Sequence, residues 1–203
     1  MKPGNTLRGA LLLVISCCLM LVCHAQEISG RTPEGSSPTA VPDLDKIKKE
    51  LAVFQGVLDT TLRQSLTGPF PILGSIKGTY LPDYGAVFSL EVNVYQIRQL
   101  SPFDLRPLTE KELNEAQAQM TKRIELVKGL IVKAIGEHGF ALQELSPEQN
   151  LTVVAHLFSA AREPKKDAPS QLIFSAKRNM IRDYREARIS AEQFSKNVRL
   201  LQF

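Results

Sequence analysis

From Phe88 to Val94 the chain alternates without a slip: Phe88, Leu90, Val92 and Val94 are apolar, while Ser89, Glu91 and Asn93 are polar. An extended strand turns that pattern into one buried face and one wet face, because its side chains point to opposite sides at every step. A helix would scatter the same residues around its circumference. The chain must therefore build a sheet and cover one side of it. A second extended run, Gly74 to Leu81, comes just before, and Pro82-Asp83-Tyr84-Gly85 separates it from Ala86–Tyr95. Pro and Asp early and Gly at the end suit a type I turn or a slightly longer loop. The two runs predict a β-hairpin.

Two helical patterns can supply the cover. Between Asp43 and Leu66, residues Leu44, Ile47, Leu51, Phe54, Leu58 and Leu62 recur at spacings of three and four, and Gly68-Pro69 stops the run. A second helix is predicted from Glu110 to Glu137. Thr109-Glu110-Lys111-Glu112 reads as a capping box, in which each end satisfies a free backbone N–H of the other. Leu113, Ala116, Met120, Ile124, Val127, Ile131 and Ala134 make its inward stripe, and Gly136 and Gly139 permit a left-handed stop. At 1.5 Å per residue such a helix is about 40 Å long, enough to cross a sheet face.

Leu151–Phe158 is nearly all apolar, as a central strand would be, and Gln171–Lys177 reads as another strand. The polar segment Ala161–Ser170 is too long for a tight turn. The remainder reads as helix: Asn179–Arg188, then a cap at Ser190-Ala191-Glu192-Gln193 and a short helix to about Leu201. The order α-ββ-α-ββ-αα predicts an α+β fold, an antiparallel sheet of about four strands in two hairpins with helices packed on one face. Roadblock-like and profilin-like domains resemble this string in element order alone, which implies nothing about function.

The N-terminus imposes a different constraint. Lys2 and Arg8 precede the apolar run Ala10–Val22, and Cys23-His24-Ala25 offers small residues before Gln26. This is the layout of a cleaved secretory signal over residues 1–25. The run is 13 residues long, short of the ~20 that a spanning helix needs. A lipidated Cys17 is the rival reading, but Cys17 is followed by more apolar chain instead of a polar tether. All three cysteines (Cys17, Cys18 and Cys23) fall in the leader, so the exported domain must be held by packing without disulfides. Residues 26–42, rich in Pro, Gly, Ser and Thr, read as a flexible linker, and 43–203 as a single domain. The 25 Lys and Arg, two of them in the leader, stand against 21 Asp and Glu. The balance tips at the C-terminal end, where 162–203 holds ten bases and five acids.

Familiar catalytic and metal patterns are missing. Outside the leader there are two histidines: His138 at a helix end beside Glu137, and His156 in an apolar strand, where a hydrogen-bonded core histidine is expected. Neither belongs to a metal-ligand spacing. There is no G-x-S-x-G elbow, Walker loop or dinucleotide fingerprint. Gly74-Ser75-Ile76-Lys77-Gly78 lacks the spacing and the following helix of a phosphate loop. No catalytic residue, cofactor or metal is assigned. Asn150-Leu151-Thr152 is a glycosylation sequon, but it opens a strand expected to be buried.

Two clusters remain as a candidate binding surface. Tyr80, Asp83 and Tyr84 gather at the hairpin tip, and tyrosine, with an apolar body and a polar end, suits recognition. Arg178, Arg182 and Arg185 fall on one helix face near Lys177 and Arg188. No aromatic stacking series accompanies them, so nucleic acid is not the expected partner and an anionic surface, lipid or polysaccharide, is the better match. The run Gly78-Thr79-Tyr80-Leu81-Pro82-Asp83-Tyr84-Gly85-Ala86-Val87-Phe88, with Ser170–Ala176 downstream, resembles uncharacterised exported bacterial proteins in which a G-x-Y-L-P-x-Y-G-x-V-F segment follows a signal peptide. The resemblance implies a bacterial, periplasmic or extracellular setting and no activity. The sequence thus predicts an exported, non-catalytic interaction or structural domain of the envelope, with a protein or envelope partner and no transmembrane helix after processing. The alternative is a hydrolase or other enzyme with an unfamiliar site at the 79–85 tip.

Overall fold

The computed structural model describes residues 43–68, 71–94, 109–158 and 168–203. The segments expected as leader and linker, Tyr95 and most of the segment expected to loop between 161 and 170 lie outside the described residues. β1 (Ile72–Leu81) and β2 (Gly85–Asn93) form the expected hairpin, with Gly78 opposite Phe88 and Leu81 opposite Gly85. Ala86, Phe88, Leu90 and Val92 are buried, and the residues between them are less so. Asp83 (φ 65°) and Gly85 (φ 127°) turn the chain in the left-handed region. At Gly85 a Cβ would also stand 2.1 Å from the carbonyl oxygen of Asn150, so glycine lets the hairpin tip touch the strand beside it.

The first helical stripe buries as its spacing requires, and the second only in its C-terminal half: Leu113, Ala116 and Met120, expected to face inward, are not buried. α1 (Leu44–Ser65) is capped by Asp43, whose carboxylate accepts from the Asp45 and Lys46 amides. Ile47, Leu51, Phe54, Leu58 and Leu62 are buried, while Leu44, the first helical residue, is exposed. Phe54 meets Phe88 at 4.7 Å between ring centroids, which sets α1 over the first hairpin. α2 (Glu110–His138) starts with the capping box: Thr109 Oγ1 accepts from the Glu112 amide, and the Glu112 carboxylate accepts from the Thr109 amide. Ile124, Val127, Ile131 and Ala134 are buried, but no residue from Glu110 to Lys122 is. α2 lies beside α1 and approaches β4, so α1 rather than α2 roofs β1.

Three expectations are corrected. First, the sheet has five strands, not about four. After α2 and a 3-10 turn (Gly139–Ala141) come β3 (Asn150–Phe158), β4 (Gln171–Lys177), α3 (Arg178–Arg185), α4 (Ala191–Asn197) and β5 (Arg199–Gln202), with spatial order β1-β2-β3-β4-β5. β5 occupies residues read as the tail of the last helix. It pairs antiparallel with β4, Leu200 opposite Phe174 and Leu201 opposite Ile173. A four-residue run is too short to show a period, and pairing to an open sheet edge outweighs its local preference.

Second, the sheet is mixed. β2 and β3 run parallel from Gly85 opposite Asn150 to Asn93 opposite Phe158. α2, with 29 residues, spans about 43 Å at 1.5 Å per residue. A connection of that length carries the chain back to the end where β2 began, so β3 starts alongside it in the same direction. The two hairpins therefore meet as a parallel seam in an otherwise antiparallel sheet. Third, His156 is not a core histidine: it is exposed on the side of the sheet away from the helices. The residues on either side of it, Ala155 and Leu157, take the core positions.

One buried charge ties the layers together. Arg123 of α2 is only 9% exposed. Its Nε donates to the Asn93 carbonyl at 2.8 Å and its Nη1 to the Thr67 carbonyl at 2.6 Å. It thus joins α2 to the end of β2 and to the segment after α1, and burial draws its pKa below the usual guanidinium range. No helix among the described residues is long and apolar enough to cross a membrane.

Candidate functional site

Strand registers define the side of the sheet opposite the helices. One row across it reads Thr79, Val87, Thr152, Ser175, Arg199, and the next reads Lys77, Ser89, Val154, Ile173, Leu201. Glu91, His156 and Gln171 form a third. Every described helix contributes its buried residues to the other side. Nine large apolar residues are exposed among the described residues, and Leu81, Tyr84, Phe158, Leu201 and Phe203 are five of them. Leu81, Phe158, Leu201 and Phe203 follow the parity of the open face, and Tyr84, in the turn, bends onto it to meet Thr152. Phe158 and Phe203, at 49% and 65% exposure, are the aromatic groups that water would most readily give up to a partner.

The hairpin tip was read as one cluster, and the structure divides it. Tyr80 lies opposite Ala86 on the helix side and packs against the core. Its hydroxyl accepts from Gln149 Nε2 at 3.0 Å, while Gln149 Oε1 accepts from the Ser146 amide. Tyr84 bends over the open face, where its hydroxyl lies 2.8 Å from Thr152 Oγ1. Thr152 Oγ1 in turn donates to Ser175 Oγ at 3.0 Å. The two phenols therefore stand on opposite sides of the sheet. Between them the Asn150 amide donates to the Tyr84 carbonyl at 2.8 Å. The tip grips the entry of β3 from above, below and along the backbone. This clamp explains why Thr152 is only 3% exposed on an otherwise open face. Asp83, exposed at the turn, has no hydrogen bond or ion pair.

The three arginines do share a face. Arg178, the first residue of α3, donates from Nε to the Leu142 carbonyl at 2.9 Å. Burial lowers its pKa, with nearby Arg182 adding to the shift and Glu50 opposing it. The Arg185 guanidinium sits 4.0 Å from the centre of the Phe140 ring. Arg182 lies between them on the helix, exposed, at 4.0 Å from the Asp183 carboxylate.

The open face also has a feature that the sequence did not reveal. Leu73 pairs with Glu91 and Lys77 with Ser89, so β1 spends two extra residues there. Gly74 carries the bulge at φ 67°. Arg63 braces it, donating to the Gly74 carbonyl at 3.1 Å while held by the Asp59 carboxylate. The bulge opens a shallow groove of about 420 Å³, lined in part by Ser75, Lys77, Ser89, Glu91 and His156. Bulges re-aim side chains in this way. Its signal in the sequence was Gly74 inside a strand pattern. His156 makes no hydrogen bond, however, so nothing fixes its tautomer as a general base would require. Among the described residues no group of three or more His, Cys, Asp or Glu is placed to hold a metal. His138 closes α2, 4.0 Å from the Glu137 carboxylate. No protein-family model, curated protein or solved structure was found to match this chain.

Proposed function

We propose that this chain is an exported, non-catalytic interaction domain of the cell envelope whose open sheet face receives another protein. The observation that carries the reading is the gathering of exposed Leu81, Tyr84, Phe158, Leu201 and Phe203 on one face of a five-stranded sheet whose other face is filled by helices. Neighbouring strands lie about 4.8 Å apart and each residue adds about 3.3 Å, so the face measures roughly 20 by 25 Å. That is the scale of one side of a small protein–protein interface. Val154, Ile173 and Leu201 form an apolar stretch between the row of Thr152 and Ser175 and the row of Glu91, His156 and Gln171, and the exposed aromatic groups Tyr84, Phe158 and Phe203 are of the kind enriched at interfaces. A flat, wide surface of this kind favours a protein over a small molecule.

The enzyme alternative at the hairpin tip draws no support from the geometry, because Tyr80 and Tyr84 face opposite sides and each hydroxyl is engaged in holding β3. The test is site-specific photocrosslinking in the native host. A crosslinker at Phe158 or Phe203 should give a discrete protein adduct, and one at Lys48 or Glu192, on exposed helix surface, should not. Ile173→Glu should abolish the adduct while leaving the melting curve near that of the parent. An adduct obtained equally from both sides, or from neither, would overturn the reading. Export is tested separately, by the mature N-terminus, which should be Gln26.

A further inference from the structure

The C-terminal third of the chain is rich in bases, and three of the seven described there are already matched. Lys177 is 2.6 Å from Glu148, Arg188 pairs with Asp183 and Glu186, and Lys196 is 2.7 Å from Glu192. Arg178, Arg182 and Arg185 differ. Among the described residues neither Arg178 nor Arg185 has a carboxylate oxygen within ion-pair reach, and Arg182 reaches only Asp183, whose charge Arg188 already meets at 2.6 Å. The nearby acids are committed elsewhere: Glu144 to Lys46 at 3.5 Å, and Glu50 to the Glu144 amide at 3.0 Å.

The guanidiniums at the two ends of this row are also held in place. Residues 178, 182 and 185 lie within a 60° arc of a helix and span roughly 10 Å along it. The turn after α2 supports both ends of this row, through the Leu142 carbonyl under Arg178 and the Phe140 ring under Arg185. A guanidinium stacked on an aromatic ring keeps its N–H edge free for a flat, forked acceptor. Like charges fixed this close repel one another unless an anion lies between them. Forked donors suit phosphate oxygens, and a row this short suits one or two phosphate groups better than a long polyanion, which needs an extended track.

We propose that the Arg178–Arg182–Arg185 row is a binding site for the phosphate headgroups of an anionic lipid surface, separate from the open face of the sheet. The row lies on the helix α3, whereas the open face is built from strand residues of the opposite parity. The choice of lipid rests on the export reading, which puts the domain beside a membrane. The measurement below uses purified protein and does not depend on where the host places it.

The experiment is cosedimentation with two kinds of vesicle, pure phosphatidylcholine and phosphatidylcholine with a minority of phosphatidylglycerol. The protein should bind the second and not the first, and the binding should weaken as salt rises. Each base at an anionic surface contributes roughly fivefold to affinity. The double variant Arg182→Gln/Arg185→Gln should therefore bind about 30-fold more weakly, while Lys196→Gln, whose charge is already paired, should bind like the parent. If the double variant does not fold, Arg182→Gln alone, at an exposed position, should still cost about fivefold. Equal binding to both vesicles, or undiminished binding by the arginine variants, would overturn the site. So would capture by dextran sulfate with no vesicle binding, which would place the ligand among polysaccharides.

Discussion

β3 and β4 carry two chemistries one residue apart. On the helix side Leu151, Val153, Ala155, Leu172, Phe174 and Ala176 are all but sealed from water. On the other side Val154, His156, Ile173 and Ser175 are half-buried or exposed, and Thr152 is covered only because Tyr84 folds over it. The same backbone serves both, so the difference lies in what packs against each face. The first face should hold the fold together. Apolar groups on the second contribute little to folding, which leaves them free to contribute to binding.

Neighbouring residues of β4 give the sharpest break of that comparison. Phe174 is fully buried, and truncating a buried phenylalanine to alanine costs about 3–5 kcal/mol. Ile173, on the open side, should cost about 1 kcal/mol or less, by the smaller apolar area it removes from water. Denaturant midpoints of Phe174→Ala and Ile173→Ala at unchanged slope would measure both. Similar losses would mean that the open face is covered in the folded protein and the interaction reading would fail.

Arg123 comes next. Its two bonds to carbonyl oxygens join α2 to the ends of β2 and α1, and hydrogen bonds from charged donors contribute about 1.5–3 kcal/mol. Arg123→Ala should destabilise the domain by about 2–3 kcal/mol in the same melts. Arg123→Lys should recover only part of that, because an ammonium cannot reach two carbonyls with a fixed fork. Full recovery by lysine would show that the charge and not the fork matters.

The hairpin tyrosines test whether the tip is a clamp or a site. Removing the hydroxyl from Tyr84 breaks its contact with Thr152, and removing that of Tyr80 frees Gln149. Each phenylalanine variant should lose about 1 kcal/mol, the ordinary net contribution of a hydrogen bond. The two losses should add, since the sites lie on opposite faces. If neither changes stability but both impair a measured turnover, the enzyme reading of the tip returns.

How far the fold was legible follows from what each element displays locally. The alternation at Phe88–Val94 and most of the stripe at Leu44–Leu62 reached the core, because their periods repeat often enough to outvote noise, whereas of the stripe at Leu113–Ala134 only Ile124, Val127, Ile131 and Ala134 did. β5 did not, because four residues display no period and their partner, β4, lies well before them in the chain. The parallel seam was hidden for a related reason: strand direction depends on where a connection ends in space, and only the length of α2 hinted at it. For the candidate surface, the arginines could be read from helical spacing. Tyr80 and Tyr84 could not be separated by proximity in sequence, since a left-handed Asp83 and Gly85 send them to opposite sides. His156 was misread because its strand is nearly all apolar and parity alone could not say which face water sees.

The smallest expected effect lies at the edge of the open face, where Lys177 meets Glu148 at 2.6 Å and Asn179 adds a bond at 3.1 Å. The lysine, foremost by this hydrogen bond, holds the Glu148 carboxyl below its ordinary value of 4.5. A carboxyl whose folded pKa is depressed contributes stability above its unfolded pKa and loses it as pH falls through the folded value. Near neutral pH, Glu148→Gln should therefore melt slightly below the parent. The gap should close as the solution is acidified below about pH 4.5, and it should shrink with added salt at any pH, because the pair is open to solvent. Arg123, which pairs with carbonyls in the interior instead of with an exposed acid, should show neither dependence over the same range. If the Glu148→Gln gap widened on acidification, this ion pair would not be the source of the shift. If Arg123→Ala tracked salt as closely as Glu148→Gln does, the contrast between a sealed face and an open one would lose its electrostatic half.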